Sequence, residues 1–262
     1  MKVLRFFLVF YFLVLILFVH SNSQVIVLGE QLEYDVSYLG VSFAKIIVNT
    51  DRYENLNGKA VLKTKAKVYS YDHVPLVNLK ADFESWTDRG SNHSLQFSRN
   101  LSLRKKPWEY QKLTFDYNKG VIENRKWIQK KQTSAFGLEF NKSNKLFDAL
   151  AAFFKARTMA EAHKSRSMMI YLDEDQLFNT TLNFAKDKQS IDVPAIKYDV
   201  RSIYFSGNAN WKGQYGVSGK VEGWISDDNA RIPLKAKIDF VLGKINIELV
   251  GYRRAGWTAP KG

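Results

Sequence analysis

Apolar and polar residues alternate along much of this chain, in short segments that turn-forming residues separate. Residues 32–38 carry Leu, Tyr or Val at every second position, with Glu, Asp and Ser between them. Residues 62–68 and 234–240 repeat the pattern with lysine at most of the polar positions. Period two puts the apolar side chains on one face of a strand and the polar side chains on the other. The pattern therefore predicts a mostly antiparallel β-protein whose strands have one apolar face.

Turn signals divide these segments into a meander with short connections. Asn57-Gly58 is typical of a two-residue hairpin, and residues 118–120, 227–229 and 242–244 have similar turn chemistry. The chain after Tyr252 is rich in Arg, Gly and Pro, so we expect it to fray. The predicted strands are 32–38, 43–53, 62–68, 82–88, 95–104, 109–117, 121–129, 167–172, 220–226, 234–240 and 245–249.

One segment has helical spacing instead. Between Asn144 and Arg157 the large apolar residues recur at intervals of three and four, at Leu146, Phe147, Leu150, Phe153 and Phe154. This spacing predicts an amphipathic helix whose aromatic stripe packs against a sheet, with a ligand-facing or lipid-facing stripe as the alternative. Because large twisted sheets tend to curl, we predict a mainly β fold. It is an antiparallel meander curled into an open barrel or a two-layer sandwich, with this helix covering one opening.

The first 23 residues have the order of a secretory signal peptide. Lys2 and Arg5 precede an unbroken apolar run of 14 residues, Phe6–Val19, and small serines occupy the two positions that define a cut after Ser23. The alternative is an uncleaved anchor, but a membrane-spanning helix needs about 20 apolar residues. We therefore expect a signal peptide over 1–23, followed by a single β-rich domain over 24–262. The mature chain is expected in the periplasm, without a membrane-spanning segment.

The chain contains no cysteine. Lipid attachment at a leader cleavage site requires cysteine, so the sequence predicts that the protein is not a lipoprotein. Disulfides and thiol catalysis are excluded for the same reason. A core of this size can stabilise an exported domain without such cross-links.

The formal net charge is +13, and its distribution is uneven. Residues 99–131 hold ten basic and three acidic side chains. A basic field attracts phosphates, anionic polysaccharides or acidic lipid headgroups, and export argues against nucleic acid as the partner. The alternative is that the lysines are solvated strand faces that resist edge pairing. The candidate binding residues are Lys63, Lys65, Lys67, Arg104, Lys105 and Lys126.

Familiar catalytic patterns are absent from the sequence. It lacks the His-Glu-x-x-His zinc motif, the Gly-x-Ser-x-Gly elbow and the phosphate-binding glycine loop. We therefore predict no catalytic residue, no cofactor and no metal site. The acidic triplet 173–175 lacks the alternating spacing of a calcium loop and is interpreted as a turn.

The segment 224–231 is a structural turn or a candidate site. Asp227 and Asp228 follow a predicted strand, and Arg231 is close enough to form an ion pair that closes the hairpin. Asp side chains commonly bond backbone amides in tight turns, which favours a structural role over a binding role. Trp224 is expected inside the sheet or at its rim.

Residues near both ends of the chain carry a family resemblance. The closing segment has Trp224–Asp228, Arg231–Pro233, Gly243 and Glu248-Leu249, and the opening has Gly29-Glu30, Leu32, Tyr34, Val36, Tyr38 and Gly40. The middle adds Phe115–Tyr117 and Asp148–Leu150 with Arg157. Together these residues resemble domain-of-unknown-function family 3108, a family of exported bacterial proteins. One departure is the lack of glycine between Gly137 and Gly207. The resemblance implies an exported, β-rich protein and supplies no catalytic residues.

Three hypotheses for function follow. The first is a non-enzymatic binding or carrier protein for an envelope lipid or anionic glycan, with apolar walls and a few polar groups. The second is a scaffold or interaction protein of a cell-envelope assembly. The third is an enzyme acting on envelope glycans through Asp227 or Asp228.

Overall fold

The structure is a computed structural model that describes residues 24–74, 78–172, 176–212, 217–240 and 243–262. The expected signal peptide, residues 1–23, and the acidic triplet 173–175 lie outside the described residues. Among the residues that are described, no helix is long and apolar enough to cross a bilayer.

The described residues form 15 strands and one helix, and all the strands belong to one sheet. The helix α1 is Ala149–Met159. The strands are β1 (Gln31–Tyr38), β2 (Val41–Leu56), β3 (Lys59–Ser70), β4 (Lys80–Asp88), β5 (Ser94–Ser102), β6 (Glu109–Asp116), β7 (Val121–Ile128), β8 (Lys131–Glu139), β9 (Leu146–Phe147), β10 (Ser165–Ile170), β11 (Phe178–Ile191), β12 (Val200–Lys212), β13 (Val217–Ser226), β14 (Pro233–Phe240) and β15 (Gly243–Arg253).

The order of strands shows how the meander is arranged. It runs β8-β7-β6-β5-β4-β3-β2-β1-β15-β14-β13-β12-β11-β10-β9. The first strand therefore pairs with the last in the middle of the sheet, and the two edges, β8 and β9, come from the middle of the chain. Each neighbouring pair is antiparallel except β9 and β10, which are parallel. The sheet is not closed, so the predicted mainly β fold with an open, curled sheet is confirmed.

Alternation along the strands places the core as predicted. Leu32, Tyr34 and Val36 of β1 are buried, and the first two share one apolar cluster with Leu234 and Leu249. The Asn57-Gly58 turn has φ angles of 52° and 84°, the left-handed geometry that a two-residue hairpin requires. Local sequence therefore accounts for the strands and for this connection.

The helix differs from its predicted range, Asn144–Arg157. It begins later because Asp148 caps it, with Oδ1 accepting hydrogen bonds from the amides of Leu150 and Ala151, both 2.9 Å long. Leu146 and Phe147 instead form β9, which pairs with β10. Their apolar character suits either structure, and the parallel ladder with β10 decides between the two.

The tail after Tyr252 was expected to fray, and that expectation is wrong. Trp257 donates a hydrogen bond from Nε1 to Asp228 Oδ2 at 2.7 Å, and Ala259 is buried in the central apolar cluster. Lys261 forms an isolated bridge with Val200 at the start of β12. Tertiary contacts therefore order a segment whose composition alone favours disorder.

Candidate ligand cavity

A cavity of about 400 Å³ lies between one side of helix α1 and the inner face of the sheet. The helix contributes Phe153 and three alanines, at positions 149, 152 and 156. Because the alanine side chains are short, the helix leaves space inside the curled sheet. The opposite wall is mainly aliphatic and includes Ile46, Val48, Met168, Ile170, Leu182, Val221, Ile225, Ile238 and Ile247.

Two polar side chains interrupt this apolar lining. The Tyr34 hydroxyl donates a hydrogen bond to the Pro233 carbonyl oxygen at 3.0 Å, and burial raises the pKa of Tyr34 well above its ordinary value. Thr180 is also buried, and its hydroxyl oxygen has no hydrogen-bond partner among the described residues. A buried polar group without a partner carries a free-energy cost. Thr180 is therefore an unsatisfied polar residue in the wall of the cavity, and its hydroxyl oxygen is covered by the surrounding side chains.

Two lysines border the cavity, Lys220 on β13 and Lys235 on β14. Lys235 forms an ion pair with Glu248 of β15, with 2.5 Å between Nζ and Oε1. Its neighbour Leu234 is fully buried, so Lys235 belongs to the opposite, outer series of its strand. The ammonium group of Lys235 is thus already paired.

A cluster of buried charges lies at the C-terminal end of the helix and is called here the arginine cluster. It consists of Glu30, Arg157 and Arg254. Arg157 is fully buried and holds the Glu30 carboxylate with two hydrogen bonds of 2.5 and 3.0 Å, while Arg254 contacts the same carboxylate. Charge-assisted, two-pronged contacts of this kind fix geometry as well as charge.

Backbone carbonyl groups complete the arginine cluster. Arg157 donates to the carbonyl oxygens of Val25, Ala230 and Arg231 at 2.7, 3.1 and 3.1 Å. Arg254 donates to the carbonyl oxygens of Gln24 and Val25. The cluster therefore ties the helix to the start of the domain and to the β13–β14 connection, which keeps one wall of the cavity in place.

Asp148 holds the other end of the helix. Its Oδ2 accepts hydrogen bonds from the hydroxyls of Ser85 and Ser94, at 2.7 and 2.6 Å, while Oδ1 caps the helix. Burial raises the pKa of Asp148, and hydrogen bonds from Ser94, Ser85 and the helix amides oppose that rise. Both ends of α1 are thus anchored by buried polar groups, with the alanine-rich side facing the cavity.

The three predicted lysines of β3 lie away from the cavity lining. Lys63 is buried, and its Nζ lies 2.9 Å from Glu84 Oε1 and 4.4 Å from the centre of the Trp86 ring. Lys65 pairs with Asp51 at 2.9 Å. Lys67 is exposed and faces Asp82 across the ladder. Neighbouring carboxylates thus compensate much of the positive charge of this strand.

The other predicted basic residues lie at one end of the sheet. Arg104 and Lys105 are exposed in the β5–β6 connection, beyond the last residue of β5. Lys126 lies near the end of β7, opposite Gln111 of β6. The amide of Gln129, in the β7–β8 turn, donates to the carbonyl oxygen of Trp108 at 3.0 Å. The two connections therefore touch, and none of these three basic residues lines the cavity.

The turn after β13 holds the two predicted aspartates in dense networks. Asp227 pairs with Lys188, Arg201 and Arg231, at 2.6, 3.1 and 3.5 Å. Burial raises the pKa of Asp227, but the bonds from Lys188 and Arg201 outweigh it and hold the pKa below the usual range. Asp228 Oδ1 accepts from Ser226 Oγ and from the amides of residues 230 and 231.

Trp224 lies on the outer face of the same strand. Its Nε1 donates to Gln189 Oε1 at 2.7 Å, and its ring packs against Tyr204 with 5.3 Å between centroids. The ammonium of Lys237 lies 5.6 Å from the ring centre. Trp224 therefore has partners from three other strands and lies outside the cavity lining.

Sequence reasoning missed Thr180 and the arginine cluster. Thr180 belongs to the inward series Phe178, Thr180, Leu182 and Phe184, so alternation along β11 was a usable signal. Alternation gave no signal for the arginine cluster, because its three members are separated by more than 90 positions along the chain. Glu30 and Arg157 are among the residues that carry the family resemblance, but nothing in the sequence indicated that they form an ion pair. Only the pairing of the first and last strands brings Glu30 and Arg254 together.

Comparison with one solved structure supports the fold, and two others show a more distant similarity. The chain is similar to a beta-barrel-like protein of domain of unknown function DUF1849 from Brucella abortus, with a TM-score of 0.56 and 11% identity over 87% of this chain and 98% of that one. A protein from Bacteroides fragilis described as exported, with a YmcC-like fold, has a TM-score of 0.37 and 8% identity over 87% of this chain and 97% of that one. A protein from Parabacteroides distasonis described as a lipoprotein has a TM-score of 0.36 and 10% identity over 87% of this chain and 96% of that one.

The family comparison is more specific. No curated protein matches the chain significantly. The family described as protein of unknown function (DUF3108) matches residues 33–250, which include most of the sheet and the whole of α1. This agrees with the residues near both ends that carried the resemblance. The chain therefore belongs to the DUF3108 family.

Proposed function

We propose that this protein is an exported, periplasmic, non-enzymatic carrier that binds a small amphiphile in the cavity between α1 and the sheet. The observation that carries the proposal is the cavity of about 400 Å³ between α1 and the sheet, whose lining is almost entirely apolar, with Lys220 and Lys235 at its border. Binding sites for small molecules combine apolar walls with a few polar groups in this way.

The size and chemistry of the cavity define the ligand class. Ligand pockets span about 300–1,000 Å³, so a cavity near the lower bound favours one apolar chain over a two-chain lipid. The aliphatic lining offers few partners to sugar hydroxyls, so an anionic glycan is the less favoured ligand. The Asp227 and Asp228 carboxylates are engaged in ion pairs and turn hydrogen bonds, which makes glycan hydrolysis the least supported of the three hypotheses.

Displacement of a fluorescent probe tests the proposal. Purified protein is titrated with N-phenyl-1-naphthylamine, and palmitate or lysophosphatidylglycerol is then added as competitor. We expect probe fluorescence to rise on binding and to fall as the competitor takes its place. Ala156, on the cavity side of α1, is replaced by Trp to fill the space. We expect the Ala156→Trp variant to bind the probe at least about tenfold more weakly, because the added indole ring takes up part of the space between α1 and the sheet that the probe needs.

The matched control is Ala135→Trp, which makes the same replacement at an exposed position on edge strand β8. Its affinity should equal that of the wild type. Far-UV circular dichroism and thermal unfolding check that both variants keep the fold. If wild-type protein fails to bind the probe, or if folded Ala156→Trp binds it as well as the control does, the carrier proposal is wrong.

A further inference from the structure

One end of the sheet combines unpaired positive charge with exposed apolar side chains. Because neighbouring strands of the meander run antiparallel, the β1–β2, β5–β6 and β7–β8 connections all lie at the same end. We call this end the basic rim and define it by residues 39–41, 103–108 and 128–131.

Five exposed cations belong to the basic rim: Arg104, Lys105, Lys106, Lys130 and Lys131. None of them has an ion-pair partner among the residues that the structure describes. The nearest acid along the chain, Glu109, pairs with Arg99 at 2.5 Å. The three rim segments contain no carboxylate, so their positive charge is not neutralised within the rim, in contrast to the lysines of β3. The exposed Asp72 of the β3–β4 connection lies at the same end of the sheet.

An aromatic ladder lies beside these cations. Trp108 is 42% exposed, and its ring stacks on Tyr110 with 6.4 Å between centroids and 9° between planes. Tyr110 in turn packs against Trp127 at 5.2 Å. Trp and Tyr are the residues that favour the boundary between water and lipid, because one part of the ring is apolar and another can form hydrogen bonds.

The β1–β2 turn adds an anomaly at the same end. Leu39 is 75% exposed and has a φ of 50°, in the left-handed region that glycine and asparagine favour. Val41 is 61% exposed. Neither burial nor backbone preference accounts for leucine at position 39, which makes its side chain a candidate for an external apolar contact.

We infer that the basic rim docks on an anionic lipid surface, with its cations on the headgroups and Leu39, Val41 and Trp108 at the acyl boundary. Amphipathic surfaces of this composition bind membranes by joining electrostatic attraction to shallow apolar insertion. The rim shares no residue with the lining of the ligand cavity, so this inference stands apart from the carrier proposal.

Vesicle sedimentation tests the docking surface. Purified protein is mixed with vesicles of phosphatidylcholine alone, or of phosphatidylcholine with about 30 mol% phosphatidylglycerol. We expect binding to the anionic vesicles that weakens as salt is added. The triple variant Arg104→Gln, Lys105→Gln, Lys106→Gln should bind them about 100-fold more weakly, since each basic residue near such a surface contributes roughly fivefold.

Two further variants make the test specific. The control triple Lys59→Gln, Lys142→Gln, Lys197→Gln removes the same charge from exposed sites at the opposite end, and it should keep most of the affinity. Leu39→Asn puts a residue that tolerates positive φ into the turn, so folding stability should hold or rise while vesicle binding falls. A purely structural role for Leu39 predicts no change in vesicle binding.

Three outcomes overturn the inference. The first is failure of the wild-type protein to bind anionic vesicles at low salt. The second is an equal loss in the two triple variants, which assigns binding to net charge instead of the basic rim. The third is binding to a soluble anionic polysaccharide such as heparin together with no vesicle binding. Probe binding in the cavity, measured on the same variants, should stay at the wild-type level and thus separates this inference from the carrier proposal.

Discussion

Replacing Glu30 with Gln tests how the arginine cluster holds this fold together. The substitution keeps the side-chain volume and removes the carboxylate that Arg157 and Arg254 share. Both guanidinium groups remain in the interior because backbone carbonyl oxygens of residues 24, 25, 230 and 231 hold them there. The variant therefore confines two positive charges without their counter-charge.

The burial of the pair sets the size of the effect. The Arg157 and Glu30 side chains are 0% and 2% exposed, so bulk water screens their interaction little. Removing one partner of a buried ion pair costs about 3–5 kcal/mol. We expect the free energy of unfolding to fall by that amount, a large part of the 5–15 kcal/mol or so that a typical domain has.

Urea unfolding followed by far-UV circular dichroism measures this change. The matched control is Glu161→Gln, because Glu161 pairs with Arg166 at 2.9 Å on the surface, with side chains 55% and 44% exposed. Such pairs contribute at most about 1 kcal/mol. A loss in Glu30→Gln no larger than in the control, or one that high salt restores, would refute the buried-charge reasoning.

Two further predictions concern other parts of the molecule. Burial, helped by the nearby Lys145 charge, lowers the pKa of His93 to about 4 from an ordinary value near 6.5. Between pH 6.5 and about 4, His93 is therefore protonated in the unfolded chain and neutral in the folded chain. The free energy of unfolding should fall by up to about 3 kcal/mol as the pH drops through this range. His93→Gln should flatten this part of the pH profile in urea titrations, and an unchanged slope contradicts the assignment. Trp257→Phe removes the hydrogen bond to Asp228, so the free energy of unfolding should fall by about 1–2 kcal/mol and the amides of the C-terminal segment should exchange faster. Unchanged exchange in that segment would show that this bond does not hold the tail in place.

Strand alternation was sufficient to predict much of this fold. The apolar series through Leu32 and the series through Leu234 are local patterns: the first is a buried strand face in the structure, and the second is buried at Leu234 and half-buried beyond it. The Asn57-Gly58 turn is equally local, because its two left-handed φ angles follow from residue type. Where structure depends on neighbours within about ten residues, sequence reasoning was adequate.

Other features depend on contacts between distant segments. Leu146 and Phe147 fit a helical pattern, yet pairing with Met169 and Ile170 makes them a strand. Lys63 was a candidate binding residue, with a solvated strand face as the alternative, but it is buried and contacts Glu84 and Trp86 of the neighbouring strand. The cavity depends on small residues of α1 meeting a curled sheet, which no single segment encodes. The candidate site was thus less predictable than the fold.

The pairing of β1 with β15 has a consequence for the order in which the protein can be assembled. A chain that emerges from its amino end exposes one side of β1 as an unpaired row of backbone groups, and the partner of that row is residues 245–253. Contacts so distant in sequence are slow to form, since the intervening loop must close first. The pairing of β1 with β15 therefore cannot form until residues 245–253 have been synthesised. The ladder at the centre of the sheet is thus among the last parts of the fold that can form.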